Sequence, residues 1–288
     1  MNYTALIHNR KSVRAFSEKE VPLSVAADII AFHDSAVKRL VPDIATELYV
    51  FNGDVREALE DAAGYHKYLV GSPQYLVLLS EEHEHAALNA GYIMEDMVLK
   101  LMDMELESCW VTFTDSELIK ESLDLESPLA VAAIVAFGYG KKTPKRIRLN
   151  IKSMSDVDVV AKHRYMDPKR SLDELVYLNT WGNGEGMREH IGFYDDMLYE
   201  AFYAASLSPS YLNRQAYGFL LHDGALSLIS RPDDYTTRHD GELSLGIALL
   251  HFSAVLGGFI GKLNWALGSE AAKLSLPEGH KAVATLRL

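Results

Sequence analysis

Two short stretches carry the side chains best suited to chemistry, and both suit the holding of a ligand. Arg10-Lys11-Ser12-Val13-Arg14-Ala15-Phe16 gathers three cations and a hydroxyl near the N-terminus. Such a set of donors fits a phosphate dianion, because charge-assisted bonds to phosphate oxygens are the stronger kind. The plainer alternative is a solvated basic cluster. Far along the chain stands Ser208-Pro209-Ser210-Tyr211-Leu212-Asn213-Arg214-Gln215-Ala216-Tyr217-Gly218-Phe219. Here Ser210, Asn213 and Gln215 offer amides and hydroxyls to the polar edge of a heterocycle, and Tyr211 and Tyr217 offer rings to stack on it. The plainer alternative is turn chemistry between a helix and a strand.

Other chemistries lack their residues. There is no G-x-x-x-x-G-K-[ST] loop and no G-x-S-x-G elbow. Gly182, Gly184 and Gly186 do not fit G-x-G-x-x-G, and no strand leads into them. His83-Glu84-His85 is not H-E-x-x-H and reads as a solvated turn. Cys109 is the single cysteine, which excludes an internal disulfide and fits a reducing compartment. It reads as a buried, inert thiol. No acid/base pair stands out, so no catalytic side chain and no metal ligand is nominated.

The elements that must position these stretches belong to an ordinary globular chain of 288 residues, 48% apolar and 24% charged. Lys and Arg number 28 against 40 Asp and Glu, a net charge of −12. That balance argues against a nucleic-acid backbone as partner, which needs a broad basic face. The N-terminus has no apolar core of signal-peptide length. Leu243 to Gly261 carries no formal charge and is near the minimum for a membrane span, but it holds four glycines, two serines and His251. It reads as a buried helix of a large core, and the chain as soluble and cytoplasmic.

Helices are expected from Val25 to Leu40 (with Ser24 as N-cap), from Leu88 to Leu106, after Asp115, from Phe193 to Ser206 and from Leu243 to Leu267. In the second of these Met94, Met97, Val98, Leu101 and Met104 form an apolar stripe, leaving Glu95, Asp96, Lys100, Asp103 and Glu107 as a polar side. Strands are expected at Glu47–Asn52, Tyr75–Ser80, Ala130–Gly138, Ala216–His222, Leu226–Ser230 and Ala282–Leu288. Lys141 to Arg170 holds ten of the 28 basic residues and reads as a connecting arm, part of it available to neutralise a phosphate. The two long helices can be laid on each other: Gly91 precedes Trp110 by the same spacing as Gly246 precedes Trp265. The surrounding order of helix, strand, long helix and strand repeats, which suggests a degenerate duplication with long helix packed on long helix.

Taken together, the two motifs resemble those of the FMN-dependent nitroreductase family, and in particular its fused, internally duplicated group. The family's R-R-S-x-R-x-F stands as Arg10, Lys11, Ser12, Arg14 and Phe16. Its A-P-S-x-x-N-x-Q-P-W-x-F stands as Ser208, Pro209, Ser210, Asn213, Gln215, Ala216, Tyr217 and Phe219, with Ala216 and Tyr217 departing from the pattern. Cys109-Trp110-Val111-Thr112-Phe113 resembles the family's flavin-edge loop, Phe137-Gly138-Tyr139-Gly140 its G-Y-P strand end, and Lys169-Arg170-Ser171-Leu172-Asp173-Glu174-Leu175-Val176 its basic tail.

The resemblance implies an α+β nitroreductase-like fold: two similar halves, each a mainly antiparallel sheet packed against helices, forming an intrachain pseudo-dimer. Residues 1–150 and 191–288 would be the halves and 151–190 the basic arm. It implies FMN as cofactor and one flavin site between the halves. Arg10, Lys11, Ser12 and Arg14 would meet phosphate and ribityl oxygens. Ser208, Pro209, Ser210 and Asn213 would meet the ring edge or ribityl chain, and backbone amides at Thr112 and Phe113 would lie near N5. Lys169 and Arg170 would add phosphate charge, with Lys145 and Arg146 as rivals. NAD(P)H and a small electrophilic acceptor, a nitroaromatic or quinone, would be the partners. The chain would be a monomer of pseudo-dimeric halves, with further association open. The alternatives are a flavin-binding sensor without turnover and a relative that has lost flavin.

Overall fold

The computed structural model describes residues 1–65, 69–141, 146–153, 156–162, 168–184, 196–268 and 274–288, with only the backbone of 146–153 and 156–162. The first half runs α1 (Tyr3–Asn9), α2 (Leu23–Ser35), β1 (Thr46–Asn52), α3 (Arg56–Leu59), β2 (Gln74–Ser80), α4 (Ala86–Asp103), β3 (Glu107–Val111), α5 (Ser116–Ser122) and β4 (Ala130–Gly138). Its sheet is antiparallel throughout in the order β1-β2-β4-β3. β2 is buried at every position and β4 at all but its first, as their unbroken apolar runs require of strands covered on both faces. Asp115 caps α5 by accepting from the amides of Glu117 and Leu118 at 2.9 and 3.2 Å.

The basic arm contains an antiparallel hairpin, β5 (Arg146–Ser153) with β6 (Asp156–Lys162). α6 (Leu172–Leu175) and β7 (Val176–Leu178) follow. The second half then runs α7 (Asp196–Ser206), β8 (Tyr217–His222), β9 (Ala225–Ser230), α8 (Arg238–Ile260), β10 (Ala266–Leu267) and β11 (Lys281–Arg287). Its sheet has the order β10-β11-β9-β8-β7. Only β7 is parallel to its neighbour, so the arm that leaves the first half adds a strand to the sheet of the second. The hairpin turn at Asp223-Gly224 places both residues at positive φ, 46° and 70°, as a two-residue connection of the primed type needs.

Without β7, the second sheet repeats the first: β8-β9-β11-β10 stands where β1-β2-β4-β3 stood, with α8 in the place of α4. The expected duplication is therefore present in the topology. α4 and α8 lie against each other, and their crossing is symmetric. A Cβ on Gly91 would overlap the Leu243 carbonyl oxygen, and one on Gly246 would overlap the Leu88 carbonyl oxygen. The two glycines let the backbones touch.

Three expectations change. α2 ends at Ser35 rather than Leu40, and its N-cap is Pro22, with no capping side chain. α8 ends at Ile260 rather than Leu267: Gly257 and Gly258 weaken its last turns, and Gly261, at φ 90°, takes the chain out of the helix. α8 is long and apolar enough to cross a membrane, yet most of it is buried between α4 and α7. Finally, Glu95 and Asp96 are not on a solvated face; both are wholly buried. The apolar stripe of α4 packs on its own sheet, and Glu95 and Asp96 are covered by α1 and α8, while Lys100 and Asp103 stay at the surface as a pair at 3.6 Å.

Asp96 accepts from the Tyr3 hydroxyl at 2.9 Å and the Lys38 amide at 2.8 Å. Burial raises its carboxyl above the ordinary 3.8, although both hydrogen bonds pull the other way. A raised carboxyl contributes stability that is present below pH 3.8 and is lost as pH rises through the folded value. Asp96→Asn removes the ionisation and keeps one acceptor oxygen for the Lys38 amide, with the Tyr3 hydroxyl left to turn and accept from the new side-chain amide. Its stability relative to the wild type is expected to improve as pH rises from about 4 to 7, measured by urea unfolding across that range.

Candidate functional site

The N-terminal motif is held extended along the open edge of the first sheet. Ser12 bridges to Ser108 of β3, and the Val13 amide donates to the Ser108 carbonyl at 2.9 Å. Phe16 bridges to Gly140, and its ring is buried in the core of that half. These anchors leave Arg10, Lys11, Ser12 and Arg14 along one wall of a cavity of about 650 Å³, within the ~300–1,000 Å³ of small-molecule sites.

The opposite wall comes from the second half. The loop after α7 is fixed from within. The Ser208 hydroxyl donates to the Ala205 carbonyl at 2.8 Å and lies 2.5 Å from the Tyr217 hydroxyl. The Gln215 side chain donates to the Ser206 carbonyl and accepts from the Arg170 amide, both at 2.8 Å. Its own amide donates to the Ser210 hydroxyl at 2.9 Å. Leu212, Asn213 and Gln215 all hold positive φ, 47°, 57° and 45°. That conformation is unusual for Leu and Gln, and concentrations of it mark ligand sites. The result is that Pro209, Ser210, Tyr211, Leu212 and Asn213 face the same cavity as Arg10.

Of the residues named from sequence, Arg10, Lys11, Ser12, Arg14, Thr112, Lys169, Pro209, Ser210 and Asn213 line this cavity together. Ser208, Arg170 and Phe113 are not among its lining residues. Ser208 is wholly buried and serves the loop. Arg170 anchors Gln215 through its amide. Phe113 packs edge-on to His239 at 5.2 Å. Tyr217 is core rather than a stacking surface, while Tyr211 lies in the cavity with Tyr65 edge-on at 6.4 Å. Lys169 donates to the Ser208 carbonyl at 2.9 Å and to Asn213 Oδ1 at 2.6 Å, tying the arm to the loop. Lys145 lies outside the described residues, as does the side chain of Arg146.

The electrostatics are uneven. Lys11 pairs with Glu107 at 2.7 Å near the surface. Arg10 is different: its side chain is 6% exposed, and its Nε lies 3.1 Å from Oε1 of the buried Glu95, off the hydrogen-bond axis. Its Nη1 donates to Ser12 at 3.2 Å. Its Nη2 is buried with no hydrogen-bond partner among the described residues. A buried, unpartnered guanidinium donor in the wall of a cavity is what an anionic ligand would satisfy. Cys109 also lines the cavity. Burial pushes its thiol up, against the pull of Arg14 and Arg10, so it faces the site as a neutral thiol.

Sequence reasoning missed Glu95, His251, Tyr65, Ser244 and Asp240. The Thr112 hydroxyl donates to Asp240 Oδ1 at 3.0 Å, and Thr237 donates to its Oδ2 at 2.7 Å. The signal for Asp240 was the capping pattern Thr237-x-x-Asp240 that starts α8, where the Asp240 amide donates back to Thr237 at 3.0 Å.

With the site laid out, its relatives can be placed. The sequence matches the family described as "Putative TM nitroreductase" over residues 2–255. The chain belongs to this family. Membership makes it a nitroreductase-type oxidoreductase by class. A protein from Thermotoga maritima described as a "putative nitroreductase" aligns over 100% of this chain and 94% of its own, at 20% identity and a TM-score of 0.59, which shows a shared fold. A nitroreductase family protein from Clostridium novyi covers 49% of this chain and 87% of its own, at 19% identity and a TM-score of 0.43. An FMN-dependent nitroreductase from Clostridium difficile covers 48% and 88%, at 18% identity and a TM-score of 0.41. No curated protein matches the chain significantly.

Proposed function

We propose that this nitroreductase family member is a cytoplasmic oxidoreductase that binds FMN between residues 1–150 and 191–288 and takes reducing equivalents from NAD(P)H. The acceptor would be a nitroaromatic, a quinone or a similar conjugated electrophile. One observation carries the reading: two motifs far apart in the chain meet across one cavity, and Arg10, whose Nη2 has no hydrogen-bond partner among the described residues, lines it.

The residues present fit such a group. Arg10, Ser12 and Arg14 would hold the phosphate, with Lys11 and Lys169 adding charge at its edge. Pro209, Ser210 and Asn213 would bound the ring and ribityl chain from the other half, and the backbone amide at Thr112, which lines the cavity, would face the ring as a donor. When bound, the flavin supplies hydride chemistry. The chain would supply binding, orientation and electrostatics. This explains why the site needs no acid/base pair.

The reading is for one site per chain, and the asymmetry of the two long helices supports it. Counting from the paired Gly91 and Gly246, Glu95 corresponds to Leu250, Asn89 to Ser244 and Asp96 to His251. Leu250 cannot hold an arginine as Glu95 does. The loop after α2 is also bound directly to α4: the Leu40 and Val41 amides donate to Asn89 Oδ1, each at 3.0 Å, and the Lys38 amide to Asp96.

The protein incubated with FMN and desalted is expected to keep flavin absorbance near one equivalent per chain. NADPH under argon is then expected to bleach it, and an added quinone to restore it. Two equivalents would overturn the single site. Retained flavin that NADPH cannot bleach would point to a binding protein without turnover, and no retained flavin would overturn the reading.

A further inference from the structure

Behind the cavity wall lies a buried cluster that joins both halves. Glu95, wholly buried on α4, receives the indole N–H of Trp110 on Oε2 at 2.8 Å. Its Oε1 faces Arg10 Nε at 3.1 Å and His251 Nε2 of α8 at 3.0 Å. The other nitrogen of His251, Nδ1, lies 3.1 Å from the Ala204 carbonyl of α7, an acceptor only. Nδ1 therefore carries a proton, and a second proton must sit between Nε2 and Oε1 for that bond to form. Wherever that proton rests, the imidazole and carboxyl sum to zero charge. The cluster as a whole keeps the single positive charge of Arg10. Burial by itself would raise the Glu95 carboxyl, but Arg10, His251 and Trp110 together hold it below the usual carboxylate range.

We propose that Glu95, locked by His251 and Trp110, is a positioning residue that fixes the Arg10 guanidinium in the cavity wall, where it meets the phosphate of the bound flavin. The proposal rests on the FMN reading above. It extends that reading by letting the second half set the anion-binding geometry of the first, through His251 and the Ala204 carbonyl. A carboxylate beside a phosphate-binding arginine would ordinarily weaken anion binding. Here His251 balances the carboxylate, so Arg10 is held without losing its charge.

The test compares FMN with riboflavin, which lacks only the phosphate, by quenching of flavin fluorescence on the full chain. Glu95→Gln with a neutral His251 leaves the net charge of the cluster unchanged and removes the grip on Arg10. The wild type is expected to bind FMN at least tenfold more tightly than riboflavin. Glu95→Gln is expected to weaken FMN about five- to tenfold and riboflavin less than twofold. In an Arg10→Ala background, Glu95→Gln is expected to change neither. Equal losses for both ligands, or an undiminished effect without Arg10, would make Glu95 merely structural and overturn the proposal. A wild type that does not distinguish the two ligands would overturn both the proposal and the phosphate assignment beneath it. Should Glu95→Gln fail to fold, Glu95→Asp keeps the charge and draws the carboxylate back by one methylene. The same selective loss of FMN is expected, and wild-type FMN affinity in that variant would overturn the proposal.

Discussion

Replacing Arg10 and Arg14 together by alanine is expected to weaken FMN binding by about 2–5 kcal/mol, a factor between about thirty and a few thousand. Arg14 is exposed in the wall and contributes charge. Arg10 contributes more, because its donor is already desolvated and has no other partner to return to. Most of the loss should therefore appear in the single Arg10→Ala variant. That variant also leaves Glu95 with only His251 and Trp110, and breaking a buried pair costs about 3–5 kcal/mol. Urea unfolding has to accompany the titration, so that a weakened site is distinguished from a weakened fold. Unchanged affinity in the double variant would remove this motif from the site.

The second large effect is expected at the helix crossing. Gly91→Ala and Gly246→Ala each place a methyl group on a backbone carbonyl oxygen of the facing helix. Neither carbonyl can turn aside, since each belongs to a helix, so α4 and α8 must separate. Alanine gains up to about 1 kcal/mol of helix propensity over glycine. Overpacking in a close contact outweighs this, for a net loss of about 1–3 kcal/mol by urea unfolding. The two sites share one contact, so the double variant is expected to lose less than the sum: once the first methyl has parted the helices, the second finds room. Strict additivity would mean that the helices adjust locally and do not move as rigid bodies.

The sequence made the two motifs, the buried strands and the paired glycines legible because each is a local pattern with a physical cause. Tyr75–Ser80 reads as a doubly covered strand from its own composition. Gly91 and Gly246, each at one spacing from a tryptophan, mark the duplication that lays one long helix on the other. The motif residues could be carried over one by one, and most of them do meet in one cavity. What stayed hidden depends on partners distant in the chain. Glu95 and Asp96 occupy helix positions that periodicity assigns to solvent, and nothing local announces that a second long helix covers them. Tyr217 and Gln215 looked free to meet a ligand, yet Ser208, Ser206 and Arg170 use their polar groups. The end of α8 was obscured by an apolar run that continues beyond the glycines that stop it.

The wall of the cavity is drawn from both halves of one polypeptide. In a homodimer with a site at its two-fold axis, dilution separates the walls, and the occupancy of the site falls with subunit concentration. Here the first half reaches the second through a covalent arm that ends as β7 in the second sheet, so the walls meet in a first-order process. Flavin affinity should then be the same at nanomolar and micromolar protein. A cell could keep very few copies of the chain and still have every one of them assembled.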